Sequence, residues 1–146
     1  MNSNRIDKPD EQLGYLLMQV SLLKQRILNS ALKCLDLTYM QFVVLAGVLE
    51  LSEENHAVTQ QCIVLERHLD KAMVSNVVKT LLAKGLIERN SHPGDSRAWM
   101  LNLTIAGEKR ALEAKKITEG VNSNFFMNID EGTFRLMLKK LLSDNI

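Results

Sequence analysis

Paired cysteines, long apolar runs and glycine-rich loops are what this chain has least of. Its two cysteines, Cys34 and Cys62, stand far apart and at no metal-type spacing, so a zinc site is excluded and two reduced, partly buried thiols are expected. No apolar run approaches the roughly 18 uncharged residues of a membrane span. Residues 1–12, MNSNRIDKPDEQ, are polar and acidic, unlike the basic and then apolar start of a secretory signal. A cytoplasmic protein with no membrane partner is the expectation. No glycine loop is built to cradle phosphate and no nucleophile elbow is present. His56, His68, His92, Cys62 and Glu66 include no pair at ligand spacing, so neither catalysis, nor a metal, nor a cofactor is expected. Internal repeats and low-complexity segments are absent too.

What is there is ordinary globular material. The 146 residues suit one domain, and 46% hydrophobic with 24% charged residues is enough apolar matter for a packed core. The net charge of +1 predicts no partner, but its distribution is uneven. Residues 56–107 carry Arg67, Lys71, Lys79, Lys84, Arg89 and Arg97 against Glu66, Asp70, Glu88 and Asp95, and all three histidines lie there. A mildly basic middle suits phosphate contact without proving it.

Periodicity and caps divide the chain. Leu13, Leu16, Leu17, Val20, Leu23, Ile27, Leu28 and Ala31 recur at three- and four-residue steps, predicting an amphipathic helix over 10–35 that Asp10, after Pro9, can cap. Thr38 and Gln41 have capping-box spacing for a helix over 38–51, with Phe42, Leu45, Val48 and Leu49 inward. SEENHA (52–57) is a polar connection. Thr59 caps a short helix to about Arg67. Asp70 opens another, which Gly85 ends after Lys84. LIERN (86–90) and AWMLNL (98–103) read as short strands joined by the turn HPGDSR. Thr104 caps a long helix running towards Phe125 and Phe126. Gly120 in its middle costs about 1 kcal/mol against alanine, which predicts a kink or fraying. Asp130 caps a last helix with Phe134, Met137, Leu138, Leu141 and Leu142 on one side.

Helix, short helix, capped helix, strand, turn and strand are the parts of a winged helix-turn-helix. In such a pair the second helix is the one that fits the major groove. At about 100° per residue, with Ala72 at 0°, Ser75 falls near 300°, Asn76 near 40° and Lys79 near 340°. Val74, Val77, Val78 and Leu81 fall on the opposite side. One face is aliphatic; the other is small, polar and free of acids. Asn76 can pair bidentately with adenine, while Ser75, Lys71 and Lys79 suit phosphate or mixed contacts. In the turn, Gly94 allows a sharp reversal and Asp95 can pair with Arg97 across it, fixing the guanidinium's direction. An arginine held there suits a narrow, electronegative minor groove.

The segment VTQQCIVLERHLDKAMVSNVVKTLLAKGLIERNSHPGDSRAWMLNLTIAG (58–107) resembles the DNA-binding module of the MarR (multiple antibiotic resistance regulator) family. The resemblance is carried by Thr59-Gln60, Asp70-Lys71, Val74-Ser75, Leu81, Lys84-Gly85-Leu86-Ile87 and Arg89. The wing signature Asp95-x-Arg97-Ala98 and Leu103-Thr104-x-x-Gly107 complete it, and LTYMQFVVL (37–45) is similar to the family's second helix. The likeness implies a recognition helix with Lys71, Ala72, Ser75, Asn76 and Lys79, a wing with Asp95, Ser96 and Arg97, and backbone contacts from Thr59 and Gln60. Three departures stand out. Asn76 replaces a frequent arginine, Ser96 replaces the middle arginine of Asp-Arg-Arg, and CIVLERH lacks the usual Leu-Ala pair. The first two alter which base and phosphate contacts are available; the third alters packing.

The expected fold is therefore mainly α with a small β-wing. It comprises an N-terminal dimerisation helix (1–35), a winged helix-turn-helix module (36–103) and C-terminal dimerisation helices (104–146). The flanking helices carry more aliphatic surface than a lone module needs. That reads either as a larger monomer core or, as the resemblance implies, as the interface of a homodimer on a pseudo-palindromic operator. Double-stranded DNA is the expected partner. The resemblance adds a repressor's ligand response and a cleft for a small aromatic or anionic effector. Tyr15, Met18, Tyr39 and Met40 are candidates for that cleft and equally readable as core. A winged-helix module that binds protein instead of DNA is the alternative; an acidic recognition face would have favoured it.

Overall fold

The computed structural model describes residues 12–54 and 57–146, so the expected Asp10 cap and His56 lie outside the described residues. Helix α1 (Leu13–Leu32) tightens into a 3₁₀ turn, Lys33–Leu35, and stops at Asp36 in the left-handed conformation (φ 53°, ψ 44°). The next helices start where side chains can satisfy their free N–H groups. For α2 (Tyr39–Glu53), the Gln41 N–H donates to Thr38 Oγ1 at 3.2 Å and the Thr38 N–H to Gln41 Oε1 at 3.1 Å, a complete capping box. Thr59 caps α3 (Gln60–Arg67) by accepting from the Cys62 N–H, and Asp70 caps α4 (Lys71–Ala83) by accepting from the Met73 N–H at 2.9 Å. Between α3 and α4 the chain turns through His68 in the left-handed region (φ 50°). Strands β1 (Ile87–His92) and β2 (Asp95–Leu103) form an antiparallel hairpin. Thr104 then caps α5 (Ile105–Phe125) and Asp130 caps α6 (Glu131–Asn145).

Four expectations need correction. Of the two thiols expected to be partly buried, Cys62 is half-buried but Cys34 is exposed. The six-residue turn HPGDSR is only Pro93-Gly94; the strands extend to His92 and begin again at Asp95. Their register jumps from Ser91↔Trp99 to His92↔Asp95, which leaves Ser96, Arg97 and Ala98 as a bulge on β2. Asp95 does not pair with the Arg97 guanidinium: its Oδ1 accepts from the Arg97 backbone N–H at 2.9 Å. A short carboxylate reaches the backbone two residues on with little loss of entropy, and that Asx-type bond wins here. Finally, α5 runs unbroken through Gly120. Buried Thr118 and half-buried Val121 flank that glycine, so tertiary packing outweighs its intrinsic cost.

The core sits inside the middle of the chain. Val44, Leu45 and Val48 of α2 pack with Ile63 of α3, Val74, Val78 and Leu81 of α4, and Leu86, Ile87 and Leu101 of the wing. Ala111 and Ala114 bring α5 onto it. Polar ties fix the orientation of α4. Lys84 at its C-cap donates to the Asp36 carbonyl at 2.5 Å and to Gln41 Oε1 at 3.2 Å, bracing it against the start of α2. The β1–α5 junction is tied twice as well: Thr104 Oγ1 donates to the Gly85 carbonyl at 2.7 Å, and the Thr104 N–H to that of Leu86 at 3.1 Å.

The flanking helices are different. On α1 only Leu28 and Leu32 are buried; Leu13, Leu17 and Leu22 are more than half exposed. On α6 nothing is buried, and Leu136, Leu141 and Leu142 are 70%, 55% and 61% exposed. Among the described residues, no single helix is long and apolar enough to cross a membrane.

Candidate nucleic-acid interface

The recognition face is built by the burial of its opposite side. Val74, Val78 and Leu81 are fully buried against the core, and the 3.6-residue period then turns Lys71, Ala72, Asn76 and Lys79 to solvent, all four exposed. Ser75 lies at the margin, half-buried. The exposed set holds two lysines and no carboxylate. The Asp70 carboxylate at the helix start is engaged with the Met73 N–H.

The wing presents Asp95, Ser96 and Arg97, all exposed. Its two-residue turn is locked by the Gly94 N–H donating to His92 Nδ1 at 2.9 Å. Arg97 is thus offered from the bulge beside the turn, with its backbone held by Asp95 and its guanidinium free of an ion pair among the described residues. Thr59 and Gln60 sit half-buried at the start of α3, beside the base of the wing. The Leu101 N–H donates to the Val58 carbonyl at 2.7 Å and stitches that segment to β2. The Thr59 hydroxyl is already used, accepting from the Cys62 N–H and donating to Cys62 Sγ at 3.1 Å.

A second feature, the cleft that the resemblance implied, could not be located from the sequence. A cleft of about 370 Å³ opens between α2 and α5, lined by Tyr39, Phe42, Leu49, Leu112, Lys115 and Arg67 among others. Arg67, at the end of α3, reaches across α2 to pair with Glu50. Its buried Nε–H finds no acceptor among the described residues. Of the four candidates for an effector cleft, Tyr39 lines it; Tyr15 and Met18 stand exposed on α1. Gly47 in α2 makes room for Arg67: a Cβ there would lie 3.3 Å from its Nε.

Comparison with known proteins agrees with this geometry. A model of the MarR family matches residues 35–98. The HTH-type transcriptional regulator YdcH of Bacillus subtilis is 35% identical over 84% of both chains. The chain belongs to the MarR family. A crystal structure of a MarR mutant from Escherichia coli complexed with operator DNA superimposes with a TM-score of 0.80 at 27% identity, covering 89% of this chain and 93% of that one. The fold is shared more widely. CouR of Rhodococcus jostii bound to p-coumaroyl-CoA matches with a TM-score of 0.79 at 24% identity over 94% of each chain. MarR-family proteins are DNA-binding transcription regulators and not enzymes, and this chain is one of them.

Proposed function

We propose that this MarR-family protein is a cytoplasmic, ligand-responsive repressor that binds a pseudo-palindromic operator as a homodimer. The observation that carries the reading is the division of α4: Val74, Val78 and Leu81 wholly buried, and Lys71, Ala72, Asn76 and Lys79 exposed without an acid among them. Such a face can approach base edges and phosphates without like-charge repulsion. Asn76 reads adenine, Lys71, Ser75 and Lys79 make mixed or phosphate contacts, and Arg97 with Asp95 and Ser96 enters the neighbouring minor groove. Thr59 and Gln60 hold the backbone.

The exposed leucines of α1 and α6 support the dimer, since apolar surface of this extent left open on a single chain marks an interface. Two subunits then set two recognition helices about 34 Å, or a multiple of it, apart. The cleft between α2 and α5 supports the ligand response. Its walls carry aromatic and aliphatic side chains; Lys115 offers a cationic end to an aromatic anion, and Arg67 stands beside it in its pair with Glu50. An effector that prefers dimers with wrongly spaced helices releases DNA by population shift.

A mobility shift on the DNA flanking its own gene, repeated with a panel of aromatic acids, tests this reading. A shifted band weakened by one of the acids is expected. Asn76→Ala should cost about 1–3 kcal/mol of base discrimination, and Arg97→Ala should weaken binding and flatten its salt dependence. Affinity unchanged in both variants would remove these residues from the interface. A stable monomer by light scattering at micromolar concentration would defeat the dimer.

A further inference from the structure

The wing's base holds a feature that the recognition helix and Arg97 leave unexplained. Trp99, the sole tryptophan of the chain, is 55% exposed, although it stands two residues from buried Leu101 on the same strand. It lines a groove of about 300 Å³ with Thr59, Gln60, Gln61, Arg89 and Ala98. Cross-strand pairing puts Arg89 opposite Leu101 and Ser91 opposite Trp99, so Arg89 and Trp99 are diagonal neighbours on one face of the hairpin. Arg89 is exposed and makes no ion pair among the described residues. No carboxylate lines the groove; Glu88, paired with Asn102, points to the other face. An uncompensated guanidinium, two glutamine amides and an exposed indole therefore share one concave strip between the start of α3 and the bulge that carries Arg97.

We infer that this groove grips the sugar–phosphate backbone of the bound duplex, with Arg89 and Trp99 as DNA-binding residues. The guanidinium and the Gln60 and Gln61 amides donate to phosphate oxygens. The indole, an apolar plate with one N–H donor, lies against the deoxyribose. Its surroundings match the polyanion in charge, and Ala98 at its edge adjoins Arg97 in the bulge of β2. These are positioning contacts, so they add affinity without sequence preference. The inference rests on the DNA-binding reading above and adds two residues to it.

The lone tryptophan makes the test direct. The intact protein is titrated with a duplex from the shifted promoter region and with a random-sequence duplex. Trp99 emission should move to shorter wavelength and acrylamide quenching should fall on binding either one. Trp99→Ala should weaken both complexes by a similar factor, roughly five- to tenfold, and Trp99→Phe should restore most of the loss. Arg89→Gln should lower the slope of log affinity against log salt by about one. Circular dichroism and thermal melts establish that each variant is folded. Should Trp99→Ala prove unstable, the quenching assay on the wild type and the Arg89→Gln salt slope still decide the matter. A wild type that binds both duplexes with unchanged emission and quenching, and an Arg89→Gln variant with an unchanged slope, would overturn the inference and leave the DNA reading standing. No binding to either duplex would overturn both.

Discussion

Gly107 is a residue whose identity is dictated by one contact. A Cβ built there would lie 1.8 Å from the Leu86 carbonyl oxygen, a backbone atom that cannot move aside. The Leu-Thr-x-x-Gly signature therefore has two physical jobs in this chain. Thr104 caps α5 and holds Gly85, and Gly107 lets the first turn of α5 press against the start of β1. Gly107→Ala is expected to destabilise the protein by roughly 3 kcal/mol, lowering Tm by about 10 °C. Gly120→Ala is the matched control. Nothing lies within 4 Å of a Cβ at that helical position, so it should gain about 0.5–1 kcal/mol. Thermal unfolding of the two variants side by side checks both signs, and equal Tm values would refute the account of Gly107. The motif was visible in the sequence, but its reason was not, because Leu86 approaches only once the hairpin has folded back. The same limit applies to Asp95. Its nearness to Arg97 was plain, but the choice between backbone and guanidinium depended on the bulge.

Elements were most legible where their chemistry is local. Thr38 with Gln41, Thr59, Asp70, Thr104 and Asp130 all cap the helices that their sequence positions announced. A cap involves residues three apart and needs no knowledge of the rest of the chain. The wing was less legible. Strand ends and register are fixed by a partner strand, and three residues of β2 bulge out with no local signal. The cap of α6 makes a testable case of its own. The Thr133 backbone N–H, with help from the Thr133 side chain and the Gly132 N–H, holds the Asp130 carboxyl below its ordinary value of 3.8. A carboxyl depressed in the folded state stabilises above its unfolded value and loses that contribution as pH falls through the folded one. The start of α6 should therefore be fully capped above about pH 4 and loosen under more acid conditions. Amide exchange at Thr133 should follow that titration in the wild type. In Asp130→Ala it should lack protection, relative to the intrinsic rate at each pH, across the whole range; a Thr133 amide protected equally in both proteins would contradict the cap.

At the scale of the whole molecule, one chain shows a completed module and incomplete flanks. The core of α2, α3, α4 and the hairpin is closed; Lys84 ties the end of α4 to Asp36 and to the start of α2, and Arg110 ties α5 to the Leu35 carbonyl at the end of the first helix. The outer faces of α1 and α6 remain apolar and open. Their patterning was readable from spacing alone; whether it served a core or an interface was not, since both demand the same period. The α2–α5 cleft was invisible to spacing because its walls come from distant segments. The account requires two subunits, each laying the α4 face and the Arg97 bulge on adjacent grooves of one duplex.

Dimethyl sulfate probing of the protein–promoter complex tests that requirement most directly, because the reagent reads guanine N7 in the major groove and adenine N3 in the minor groove at once. Two protected major-groove patches related by a dyad are expected, each with minor-groove protection beside it. Arg97→Ala should restore reactivity at the minor-groove adenines alone, and Asn76→Ala at the major-groove guanines beside the adenine it reads. Protection confined to one groove, or a pattern unchanged by either substitution, would contradict it.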